Sequence, residues 1–217
     1  MLSAETVIAR AEQLAKDKLG SESTGHDWWH VQRVRDVAVQ IAEKEEANRF
    51  VVELAALLHD IEDYKFSGSE EAGPKFARDW LDELGVDAGV TTQVVDIIAG
   101  MSFKGAKVAQ PELSLEGRCV QDADRLDAMG AIGVARTFAY GGYVQRPIHD
   151  PGCDPEMHDS AEKYMASRGT TINHFHEKLL LLTERMNTDH GRSLAKARHE
   201  FMEMFLEQFH AEWRGKR

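Results

Sequence analysis

The sequence predicts an all-α protein, a single helical bundle with long C-terminal helices. Three observations carry this. Apolar residues recur at helical spacing through most of the chain, and the alternation of a half-buried strand is nearly absent. Hydrophobic residues make up 42% of the 217 residues, enough for a core, and charged residues 29%, an ordinary surface share. Most connections are short, with no repeat, linker or low-complexity tract, so one domain over 1–217 is expected.

The first helix spans about 3–19 and is stopped by Gly20. A polar loop, Ser21 to Gly25, leads into a second helix over about 28–46, capped by Asp27 or Thr24. A third, over about 48–60, contains FVVELAALLHD and is apolar on most sides, which suits the centre of a bundle. The pattern then breaks in IEDYKFSGSEEAG. Pro74 suits the first turn of the next helix, which ends at Gly85, and another spans about 88–99. GMSFKGAKVAQPELS reads as a loop before a helix over about 115–137. From Tyr140 to Asp159 lie three of the five prolines, with Gly141, Gly142 and Gly152; a loop of that length is functional or mobile. Helices over about 160–187 and 191–213 close the chain. A core over about 26–130 is expected, with a helical extension over about 140–217 packed on it. Trp28, Trp29, Trp80 and Trp213 are expected in the core or in helix packing.

The formal net charge of −11 argues against a general nucleic-acid binder, which needs basic surface to neutralise phosphates. A small phosphorylated ligand is compatible with it, because a metal and a few local cations can reverse the field inside one pocket. The N-terminal segment is amphipathic and lacks the apolar run of a signal peptide. No apolar stretch approaches the roughly 18 residues that span a bilayer. Cys119 and Cys153 make neither a disulfide framework nor a zinc ribbon. A cytoplasmic protein with no membrane partner is expected, and a homodimer is compatible with the sequence.

The chemistry concentrates at His59-Asp60, at the end of the buried third helix. A buried Asp is rare unless paired or metal-bound. Neighbours on a helix point about 100° apart, so these two can share an ion only where the helix ends. His30 falls in a row with Val34, Val37 and Ile41, the inward stripe of the second helix. Asp124 lies between Val120 and Ala128 on a small-residue face of a later helix. Three helices thus aim metal-type ligands at one interior, as bundle cores do. Asp122 competes with Asp124, since two residues apart on a helix cannot both face an ion. His30, His59, Asp60 and Asp124 form a mixed nitrogen and oxygen set for one divalent ion. Mn, Co, Fe and Zn suit it better than Mg, and Mn is favoured.

The order His30, His59-Asp60, Asp124 resembles the H…HD…D signature of the HD-domain phosphohydrolase superfamily. GHDWWHVQRV resembles that family's first-ligand helix, LLHDIED its HD helix, and DADRLDAMGAIG its last-ligand helix. Asp124-Arg125-Leu126 matches the family's Asp followed by a basic residue and Leu. RTFAYGG, TTINHFHEKLLLL and the closing helix look like the bacterial YedJ/YpgQ-like branch. The resemblance implies an HD-domain helical bundle, a divalent metal, and a metal-activated water cleaving phosphate esters or anhydrides, with a nucleotide as the expected substrate. The HD-GYP type fits less well, because Ile61-Glu62-Asp63-Tyr64 stands where that type carries Gly-Lys.

Around the ligands, Glu62 and Asp63 resemble the acidic pair after HD in some guanosine-pyrophosphate hydrolases, at a spacing one residue shorter. With Asp60 they are the candidate catalytic carboxylates. His26, Lys65, Arg125, His174 and Lys178 are the candidate substrate contacts, each with the competing reading of a structural residue or surface charge. Arg146 and His149 are candidate lid residues. The alternative to an enzyme is a metal-containing nucleotide-sensing or partner-binding module with little catalysis.

Overall fold

The computed structural model describes residues 2–20, 25–62 and 69–216. Ten α-helices and two short 3₁₀ turns are present among them, with no strand. The chain divides into two compact units, Met1–Phe103 with Gln110–Asp124, and Lys104–Ala109 with Arg125–Arg217.

The first unit is built around α3 (Arg49–Leu58), which packs on α1 (Ala4–Leu19), α2 (Trp28–Glu45) and α5 (Ala88–Gly100), while α4 (Ala72–Glu83) packs on α5. Every residue of α3 from Val51 to Leu58 is buried, as its apolar sequence requires. Each large side chain there, such as Leu54 or Leu57, contributes roughly 1.5–3 kcal/mol by leaving water. The helix starts are set by side-chain caps. Ser3 accepts from the Thr6 N–H, Asp27 from the His30 N–H, and Asn48 from the Phe50 and Val51 N–H groups. Thr24, the other cap considered for α2, lies outside the described residues.

The inward stripe of α2 differs in one position from the expected row. His30, Val34 and Ile41 are buried, but Val37 is half-buried and Ala38 takes its place on the sealed face. Glu53 is the one ionisable residue among the buried positions of α3. It is held by Arg35 of α2, whose Nη2 lies 3.1 Å from Glu53 Oε1 and whose Nη1 lies 3.0 Å from Glu12 Oε2 of α1.

Two of the longer expected helices are broken. The stretch expected over about 115–137 is α6 (Leu115–Asp127) and then α7 (Gly130–Tyr143). Met129 is extended and Gly130 takes a left-handed φ of +68°, a conformation glycine enters without a Cβ clash. The stretch expected over about 160–187 is α8 (Ala161–Ala166), α9 (Thr171–Glu177) and the 3₁₀ turns Leu179–Leu181 and Thr183–Arg185. Thr170 restarts the chain by accepting the Asn173 N–H. The closing helix α10 runs Asp189–Trp213, capped by Thr188.

Within the second unit, α10 packs on α7, and α7 also meets α9. Phe138, Phe175 and Phe205 form its aromatic core. Gly141 lets α7 approach α9 closely, since a Cβ there would lie 2.5 Å from Thr171 Oγ1. Arginines bind backbone carbonyls, the buried Arg125 that of Arg185, and the half-buried Arg185 and Arg198 those of Ala106 and Leu126. Of the tryptophans, Trp28 is buried and Trp80 half-buried, but Trp29 and Trp213 are exposed, contrary to the expectation for those two. Trp213 stacks on Phe209 and contacts His149 edge-on.

Candidate metal centre

The α3 helix ends at Leu58. His59 is its C-terminal cap residue and Asp60 follows in the turn, where the Ile61 N–H bonds back to the Leu58 carbonyl. The turn lets two adjacent side chains face one point, which the interior of a helix would forbid. His30 reaches that point from the first turns of α2, fixed by the Asp27 cap on its own N–H at 2.9 Å. Asp124 reaches it from α6. All four belong to the first unit.

The ligand-type atoms converge closely. His30 Nε2 lies 3.3 Å from His59 Nε2, 3.2 Å from Asp60 Oδ2 and 3.5 Å from Asp124 Oδ1. His59 Nε2 lies 3.5 Å from Asp60 Oδ1 and 4.0 Å from Asp124 Oδ1. Two atoms each about 2.1 Å from a shared ion stand ~3.0 Å apart at a right angle, ~3.4 Å apart at a tetrahedral angle and ~4.2 Å apart in line. The separations among His30, His59 and Asp124 fall within that span, so these three fit a single ion; Asp60 stands beside them, reaching His30 through Oδ2 and His59 through Oδ1.

The imidazole of His59 is also prepared for a cation. Its Nδ1–H donates to the Ala56 carbonyl at 2.8 Å, which leaves the lone pair on Nε2, the atom that faces the cluster. His30 is fully buried, and His59 and Asp60 nearly so, while the Asp124 side chain is 36% exposed. Burial alone would raise the Asp60 carboxyl. The His59 and His26 imidazoles beside it, with hydrogen bonds from His26 and His30, outweigh that and hold it well below the usual carboxylate range. Asp60 is thereby kept ionised among the imidazoles of His26, His30 and His59.

The remaining sequence candidates are dispersed. His26 Nδ1 lies 2.8 Å from Asp60 Oδ2, so this residue joins the cluster. Glu62 is an exposed residue with a left-handed φ of +59°, and its carboxylate accepts from Lys18 Nζ at 3.1 Å. Asp63 and Lys65 lie outside the described residues. Asp122 is fully buried and its charge helps to raise the Cys119 thiol. Arg125 is buried, with Nη1 donating to the Arg185 carbonyl. His174 stacks with Tyr164 in the second unit, and Lys178 is half-buried at the end of α9. Arg146 donates its backbone N–H to the Gly141 carbonyl, and His149 sits in the aromatic cluster of Phe209, His210 and Trp213. Sequence reading missed the Arg35–Glu53 pair and the Arg136–Asp127 pair at 2.9 Å; a carboxylate in an apolar helix was the available signal for the first.

Comparison with known proteins bears on the same residues. The HD domain family model matches residues 28–129, a span that holds His30, His59, Asp60 and Asp124. The protein YpgQ of Bacillus subtilis (strain 168) is 41% identical over 205 residues, covering 93% of this chain and 92% of YpgQ. The chain belongs to the HD-domain family.

Solved structures of similar proteins agree. A protein from Lactobacillus plantarum superposes with a TM-score of 0.87 at 39% identity, over 99% of this chain and 100% of the other. An HD-superfamily hydrolase from Bacillus thuringiensis gives 0.75 at 43% identity, over 98% and 99%. YpgQ of Bacillus subtilis in complex with ADP gives 0.74 at 35% identity, over 97% and 100%. As an HD-domain protein the chain is a hydrolase of the metal-dependent phosphohydrolase kind, all-α, in the YpgQ-like branch. HD domains bind divalent metals, and this chain has the His/Asp groups to hold one. No helix among the described residues is long and apolar enough to cross a membrane.

Proposed function

We propose that the protein hydrolyses a phosphate ester or anhydride bond of a nucleotide, using one divalent ion held by His30, His59, Asp60 and Asp124, with manganese the favoured metal. The observation that carries this reading is the convergence of two imidazoles and two carboxylates within 4.0 Å of His30 or His59 Nε2, with the His59 lone pair directed at the cluster. The ion, when bound, lowers the pKa of its water and polarises the phosphoryl group. The ADP held by YpgQ supports nucleotides as the substrate class.

The chain's own groups divide the work. Ala56 locks the tautomer of His59 through Nδ1. His30 and Asp60, sealed from solvent, hold the dry side of the site, and the partly exposed Asp124 forms the side open to substrate. Asp60 stays ionised and accepts hydrogen bonds from His26 and His30. Glu62 and Asp63, two and three residues after Asp60, are assigned the exchange of protons with the attacking water. Lys65, five residues after Asp60, is assigned to phosphate charge.

The test is an assay of purified protein, loaded in turn with Mn²⁺, Co²⁺, Mg²⁺ and Zn²⁺, against nucleoside mono-, di- and triphosphates and pyrophosphates. Turnover that depends on the metal is expected. His59→Ala and Asp60→Ala should abolish it, along with the thermal stabilisation by Mn²⁺, while the circular dichroism stays helical. Absence of turnover with every metal overturns the reading. A nucleotide that stabilises the protein but is never consumed would make it a sensor instead.

A further inference from the structure

We propose that His26 is a positioning residue for the metal centre, acting by fixing one oxygen of the Asp60 carboxylate. The inference rests on the four-ligand reading above and adds a fifth side chain to it. A carboxylate side chain turns about its terminal bond with a broad, two-fold preference, so packing alone does not choose which oxygen faces a cation. Here the choice is made by neighbours. Oδ2 of Asp60 receives His26 Nδ1 at 2.8 Å and stands 3.2 Å from His30 Nε2, while Oδ1 stands 3.5 Å from His59 Nε2. An ionised carboxylate accepts only, so His26 Nδ1 carries the hydrogen in this contact.

The backbone around His26 is arranged to deliver that hydrogen. Gly25, just before it, takes φ +91°, a left-handed turn open to glycine. Asp27, just after it, caps α2 by accepting the His30 N–H. His26 is thereby placed immediately ahead of the cap, one helical turn before His30, and its ring meets the His30 ring edge-on at 5.4 Å. The ring is half-buried, with 16% of its side chain exposed, so the hydrogen bond to Asp60 is shielded from water.

A second ion among His26, His30 and Asp60 is the competing reading, since their ligand atoms also lie within 4.8 Å of one another. It fails on atoms. That trio would reuse His30, whose Nε2 already faces His59 and Asp124, and the 2.8 Å between His26 Nδ1 and Asp60 Oδ2 is a hydrogen-bond distance, shorter than the ~3.0 Å between two ligands at a right angle on one ion. His26 therefore orients a ligand and is not one itself. Contacts of this outer kind are worth roughly 10- to 100-fold in metal affinity.

The test compares His26→Ala with His26→Asn, whose amide N–H can occupy the place of Nδ1–H. Metal-free wild type and both variants are titrated with Mn²⁺, reading free aqua-Mn²⁺ by electron paramagnetic resonance, with circular dichroism confirming the fold. His26→Ala should raise the Mn²⁺ Kd by roughly 10- to 100-fold, and His26→Asn should restore most of the affinity. A His26→Ala protein that binds Mn²⁺ as tightly as wild type overturns this inference and leaves the four-ligand centre standing. So does a loss that Asn fails to restore. A wild-type protein that takes up no Mn²⁺ overturns the centre itself and the inference with it.

Discussion

Arg35 ties three helices of the first unit together through one guanidinium, and replacing it by Met should expose what that tie is worth. Nε and Nη2 both reach Glu53 Oε1, at 3.3 and 3.1 Å, and Nη1 reaches Glu12 Oε2 at 3.0 Å. The Glu53 side chain is only 11% exposed, so removing its main partner leaves a carboxylate in the interior. Breaking a fully buried pair costs about 3–5 kcal/mol. Two features reduce that here. Arg35 is itself 22% exposed, and Arg49 remains 3.5 Å from the same oxygen, though 60% exposed. A loss of about 2 kcal/mol follows, and for a chain of this length that lowers Tm by about 4–8 °C. The contact with Glu12 adds little, because it lies nearer to solvent. The assay is thermal denaturation of Arg35→Met, Glu53→Met and the double variant. The double variant should be more stable than Arg35→Met, since it carries no stranded charge. The reasoning is refuted if Arg35→Met costs under about 0.5 kcal/mol or if the two single losses simply add.

Two further outcomes follow from other parts of the chain. Burial, reinforced by the nearby charges of Glu45, Asp122 and Glu116, pushes the Cys119 thiol up to about 12. It therefore stays protonated far above neutrality, and iodoacetamide at pH 8 should label the native chain on half-buried Cys153 alone, with Cys119 reacting only in denaturant; mass spectrometry showing both labelled in the native protein would contradict this. Gly141→Ala should destabilise the second unit by about 1–3 kcal/mol, because the new methyl meets Thr171. Adding Thr171→Ala should return part of that loss in urea denaturation, and an unchanged single variant would mean that α7 and α9 can move apart.

Much of this structure was legible in the residues because the signals were local. The α3 helix announced itself by an apolar surface on most sides, and the caps at Ser3, Asp27 and Asn48 are short polar side chains just ahead of periodic segments. The breaks were harder. Periodicity runs on through Met129 and Gly130, and glycine within a helix pattern is ordinary, so nothing local reveals the left-handed turn there. The restart at Thr170 did carry a signal, a Gly169-Thr170-Thr171 run suited to a stop and a cap, which the surrounding apolar spacing hid. At the site, His30 and Asp124 were expected from inward faces and His59-Asp60 from the end of a buried helix, and these four side chains do come together. The link between His26 and Asp60 spans 34 positions and depends on how two elements pack, so the residue types alone made His26 a candidate substrate contact and not a partner of Asp60. The pairing of Arg35 with Glu53 was hidden for the same reason.

The helix α6 has a position in the chain that bears on how this protein could be dissected or recombined. Asp124 closes the first unit and Arg125, its neighbour on the same helix, opens the next stretch of the second. A chain cut after Asp124 would end on its last metal-type ligand. The final turn of any helix frays, because its terminal carbonyls have no partners. The carboxylate would then sit on the loosest residue of the fragment, and its entropy would be charged against every ion taken up. The three residues to Asp127, though counted with the other unit, are the splint that keeps Asp124 in ordered helix. Modular exchange of the C-terminal half therefore has a natural seam at Ala128–Met129, beyond the helix, and not at the boundary between the two units.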